Sequence, residues 1–119
     1  MTPEQTAELN HLQSRLVHEM ETYMEEVGEE CGYTTEDIDA STAVLAAYVA
    51  TLSGPANPES IIAEVQKTVM KLNAISEKCH AGLIETDQRE MICEIINQAA
   101  EYAGLPVGSD DLTEEWREW

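Results

Sequence analysis

Glu77 and His80 stand three apart in the stretch Glu77-Lys78-Cys79-His80. One turn of helix at that spacing can offer a carboxylate and an imidazole to the same metal ion, as carboxylate-bridged di-metal centres in helical bundles do. Such a centre needs its ligands turned inward. At about 100° per residue, Glu77 lies more than about 100° from the middle of the apolar stripe that runs from Val65 to Leu72, so it points outward. His11 and His18, seven apart, form a row with Glu25 opposite the Leu9–Leu16 stripe, which reads as a solvated face. Cys79 precedes His80 directly, and adjacent helical side chains diverge too far to act as nucleophile and base. Cys79 falls in an apolar stripe and reads as a small buried hydrophobe. The segment from Asp37 to Ser41 begins like a calcium loop. It fails at the sixth position, Thr42 instead of Gly, and at the twelfth, Tyr48 instead of Glu. We assign no catalytic, cofactor or metal residue.

What does stand out is charge. Glu25, Glu26, Glu29, Glu30, Glu36, Asp37 and Asp39 put seven acids into fifteen residues, with no base among them. Between Arg15 and Lys67 there are eleven acids and no Lys or Arg. Pairs such as Glu25/Glu29 and Glu26/Glu30 repel at helical i, i+4 spacing. They also crowd a helix C-terminus, where the macrodipole disfavours anions. A cationic partner surface is the expected counterpart of such a concentration. Both tryptophans, Trp116 and Trp119, sit in the last four residues beside Glu114, Glu115 and Glu118. They can close the bundle by folding back, or they can form an acidic-aromatic docking tail. The candidate partner-binding set is therefore the seven acids with Trp116 and Trp119.

The elements that must carry these residues are helical. Thr2-Pro3 with Gln5 is a capping-box start, followed by Leu9, Leu12, Leu16, Met20, Tyr23, Met24 and Val27 at helical spacing up to Gly28. A second helix starts between Thr35 and Ser41 and stops at Leu52 or Ser53, before Gly54-Pro55. It is apolar or small nearly all round, which predicts a largely buried position at the centre. A third opens at Asn57-Pro58 and runs to Gly82. A fourth runs from Thr86 to Gly104-Leu105-Pro106, an αL-type stop. Lys67, Lys71 and Lys78 line the third helix away from its apolar face, with Met70, Ala63 and Ala74 as a second, weaker apolar strip. Short connections predict antiparallel neighbours. The expectation is an all-α, single-domain up-and-down bundle of about four helices over residues 1–105. Residues 106–119 follow as an acidic-aromatic tail with one short helical turn.

The 119 residues suffice for one domain with a sizeable core, since 43% are apolar. A net charge of −18 repels nucleic acid and anionic membranes and favours basic protein surfaces. Three cysteines, without CxxC spacing, argue against a disulfide framework or a structural zinc site. The opening residues lack the basic and apolar regions of a secretory leader. The run from Ala43 to Leu52 is about half the length that spans a bilayer. We expect a cytoplasmic, non-enzymatic acidic binding module, of the kind formed by inhibitors, immunity proteins or DNA mimics. The rival expectations are a structural or regulatory oligomer, such as a homodimer, and a carboxylate/His metal-binding helical protein.

Overall fold

Three helices begin on reciprocal caps that their own sequence supplies. Thr2 and Gln5 close the start of α1 (Pro3–Val27), Thr34 and Asp37 that of α2 (Thr35–Leu52), and Asn57 and Ser60 that of α3 (Pro58–Lys78). In each, the cap side chain accepts from the backbone N–H three residues on, while the third residue's side chain accepts from the cap's N–H. Proline at the first position of α1 and α3 fixes a helical φ where no N–H is needed. The last helix, α4 (Thr86–Tyr102), ends in a Schellman arrangement. Gly104, at φ 114°, donates to the Glu101 carbonyl, and the Leu105 N–H reaches Ala100. In this computed structural model, residues 1–79, 86–108 and 110–119 are described, the side chains of Glu30 and Thr86 excepted. The third helix stops at Lys78 with Cys79 as its C-cap; the expected stop at Gly82 lies outside the described residues.

The helices form an up-and-down bundle, and among the described residues there is no strand. Antiparallel order shows in what the ends touch. Lys78 at the end of α3 reaches Asp37 at the start of α2, and Tyr102 at the end of α4 donates to Glu8 near the start of α1. α1 packs on α2 and α4, α2 also packs on α3 and α4, and α3 and α4 touch each other only sparsely. The core is one aliphatic cluster built from Leu9, Leu16 and Met20 of α1, Leu45 and Leu52 of α2, Val65 and Leu72 of α3, and Ile92, Ile95 and Ile96 of α4. Each such side chain contributes about 1.5–3 kcal/mol when fully buried. Tyr48 is buried among them, and its hydroxyl donates to the Ile96 carbonyl at 2.7 Å, which binds α2 to α4.

Helix α2 touches all three other helices but is not sheathed by them, as its composition suggested. It buries Ile38, Ser41, Leu45, Tyr48, Val49 and Leu52, while Ala43, Ala46, Ala47 and Ala50 are exposed. The reason lies in what alanine contributes. It is the strongest helix former and has little apolar surface to hide, so an alanine face in water costs almost nothing.

Candidate functional site

The corner between α1 and α2 holds the acid run, and two tyrosines fix its shape. Tyr33 is buried, stacks on Tyr23 with ring centroids 6.0 Å apart, and donates its hydroxyl to the Met20 carbonyl at 2.8 Å. A single 3₁₀ turn, Gly28–Glu30, joins the end of α1 to this anchor, with Gly28 at φ 59° making the bend. Glu25, Glu26, Glu29, Glu36 and Asp39 are all exposed around the corner. Glu30 belongs to the same turn, and its side chain lies outside those described. The acids thus ride on a pinned corner instead of a loose loop.

Asp37 is the exception. It is only 7% exposed and serves the fold. Its Oδ2 accepts from the Thr34 N–H at 2.9 Å and the Thr34 hydroxyl at 3.1 Å, and Lys78 Nζ stands 3.7 Å from Oδ1. Burial pushes its pKa up. Hydrogen bonds from Thr34 and the Cys79 thiol, together with the Lys78 charge, outweigh that, so the carboxyl titrates below its usual 3.8. The same burial, and the carboxylate it faces, push the Cys79 thiol up to about 11. Asp37 and Glu36 also stand in the first turn of α2, where the macrodipole favours them. Local structure therefore gains from Glu36 and Asp37, unlike the acids that crowd the end of α1.

The tail lies along the seam between α3 and α4, two helices that touch each other only sparsely. Two asparagines hold it by its main chain. Asn73 of α3, 4% exposed, donates Nδ2 to the Trp116 carbonyl at 2.8 Å and accepts the Glu118 N–H on Oδ1 at 3.1 Å. Asn97 of α4 accepts the Leu112 N–H at 3.0 Å and donates to Asp111 at 3.2 Å. Asp111 also accepts from the Thr113 N–H and hydroxyl, and pairs with Arg117 at 2.9 Å. Burial raises the Asp111 pKa, but these donors bring it below the usual 3.8. The expected helical turn is one hydrogen-bonded turn, with Trp116 and Arg117 both donating to the Thr113 carbonyl. Trp116 and Trp119 are half-buried against the core, and Arg117 lies over the Trp119 ring at 5.5 Å. Of the two roles open to the tail, folding back onto the bundle is what the structure displays.

Searches of protein-family models, curated proteins and solved structures found no match to this chain. Its function must therefore be argued from its own side chains. Glu77 is exposed, and His80 lies outside the described residues. The same spacing recurs at Glu8 and His11 on α1, where both side chains are exposed and Glu8 is engaged by Tyr102. Among the described residues no three His, Cys, Asp or Glu side chains converge to hold a metal ion, and no helix is long and apolar enough to cross a membrane.

The structure thus gathers the acids at one corner and sets the tryptophans apart from them on the α3–α4 seam. Neither Asn73 nor Asn97 stood out in the sequence. Asn73 carried a usable signal, since it stands next to Leu72 and one turn before Ser76 on the buried side of α3. An amide at such a position requires a partner.

Proposed function

We propose that this chain is a non-enzymatic docking module that covers a basic surface of another protein, in the manner of an inhibitor, an immunity protein or an imitation of nucleic-acid phosphates. The observation that supports it best is the exposed, un-neutralised corner. Among the described residues the two ion pairs engage Asp37 and Asp111, which leaves Glu25, Glu26, Glu29, Glu36 and Asp39 without a base. Holding these charges on a pinned turn means that little ordering remains to be done when a partner arrives. The density of charge points the same way. A net −18 along a 43 Å axis is about one charge per 2.4 Å, against about one per 1.7 Å in duplex DNA.

Charge reversal tests this reading. Glu25, Glu29, Glu36 and Asp39 changed together to Lys should leave the fold intact, because none of them caps a helix or enters the core. With the net charge brought from −18 to −10, Tm should hold or rise as like-charge repulsion is relieved, less a small loss from Glu36 in the first turn of α2. Association with a basic protein captured by the immobilised chain should slow at least about ten-fold at low salt and lose most of its salt dependence. A variant that associates at the wild-type rate removes the corner from the interface.

A further inference from the structure

Among the described residues, two large apolar side chains stand far out of the core: Ile62, 43% exposed, and Met70, 50% exposed. Both are on α3, and both border the place where the tail crosses it. Ile62 lies with Val65, Leu112 and Trp116 around an open pocket of about 200 Å³, rimmed by Asp111 and Glu115. The Met70 sulfur is 3.7 Å from the amide of Asn73, which also holds the Trp116 carbonyl. The tail has therefore built an apolar recess against α3 and left it open. Its volume equals that of about seven water molecules, room for one large side chain.

The rim decides what kind of side chain would enter. Asp111 is engaged by Arg117, whereas Glu115 is exposed beside the opening, with Glu114 and Glu118 exposed nearby. Lys67 and Lys71 lie about 140° and 180° around α3 from Ile62, too far round to offset those acids. An apolar floor under an acidic rim fits an apolar residue with basic neighbours. A second copy of the chain fits worse, since it would bring one acidic rim against another.

We propose that this pocket is an anchor site, taking one large aliphatic side chain from a basic segment of a partner protein. The proposal rests on the docking role above and divides the work. Acids steer and align the partner, while the pocket between Ile62 and Trp116 supplies the buried contact that slows its departure.

The probe is a pair of synthetic peptides of alternating lysine and alanine, identical except for a central leucine or serine. Affinity is measured at low salt by calorimetry and by tryptophan emission. The leucine peptide should bind about ten-fold tighter or more and alter the tryptophan emission. Ile62→Ser should bring the ratio close to one while the serine peptide binds as before. Equal affinity for the two peptides on the wild-type chain would overturn the anchor site and leave the charge reading intact. A leucine preference that survives Ile62→Ser would also overturn it, placing the anchor elsewhere. If neither peptide binds, both the anchor site and the docking role fall. A dimer that Ile62→Ser dissociates would overturn the proposal too, since a second copy would then fill the pocket.

Discussion

Changing Asn73 to Ala should detach the tail before it unfolds the bundle. The substitution removes the donor to the Trp116 carbonyl and the acceptor for the Glu118 N–H. Each bond contributes about 1 kcal/mol net, and the tail is exposed enough for water to resolvate the freed main-chain groups, so the loss is about 2–3 kcal/mol. With about 2.1 cal/mol/K of unfolding entropy per residue, 119 residues lose about 4 °C of melting temperature per kcal/mol. If the tail leaves only when the bundle melts, Tm should therefore fall by about 8–12 °C. If the tail leaves first, the fall is smaller and the fluorescence changes instead. Both tryptophans of the chain lie in the tail, so emission at 25 °C reports docking without any label. It should shift to the red and become more open to acrylamide quenching. A variant that melts within about 2 °C of wild type with unaltered emission would refute the claim that Asn73 holds the tail.

Other expectations follow from the charges. Asp37 and Asp111 titrate below 3.8 in the fold, so the unfolded chain binds more protons just below that pH. Their contribution is complete above it and lost as the pH falls, so the urea midpoint should decline on the acid side of 3.8; a midpoint that stays flat or rises there would contradict this. Cys79, raised from 9.0 to about 11, gives the opposite limb, reinforced by Tyr48, whose phenol burial also pushes up. Stability should be complete below about pH 9 and fall as the pH rises toward 11; a flat urea midpoint across that range would count against it. Native Cys79 should also react with thiol reagents after the half-buried Cys31 and Cys93. Added salt should raise Tm by screening a net −18, and a Tm that drops between low salt and about 0.3 M sodium chloride would contradict the like-charge picture.

The first and third helices were legible because their starts are written locally, as a cap residue, a proline and an apolar stripe. The start of α2 was obscured because its cap acid, Asp37, is embedded among surface acids and differs from them only in where the chain folds. Its exposed alanine face was hidden for a related reason: hydropathy counts alanine as apolar, while its helix propensity suits it equally to a surface. The tail could not be placed at all. Its attachment depends on Asn73 and Asn97, which are 43 and 15 residues from the main-chain groups they bind at Trp116 and Leu112. No window of sequence holds both halves of such a bond. The acid corner was visible as composition; Tyr33, which pins it, reaches back 13 residues to Met20.

The asparagine grip has a consequence for how this surface can change. Asn73 and Asn97 bind peptide groups of the tail as well as the Asp111 carboxylate, and a peptide group is the same whatever side chain it carries. Glu114, Glu115 and Glu118, which point to solvent, can be exchanged while Asn73 and Asn97 keep hold of the main chain. Mutation can therefore explore new lettering on this strip while the fold that displays it stays fixed. Related chains that differ in what they meet should diverge first at those three positions and last at the two asparagines.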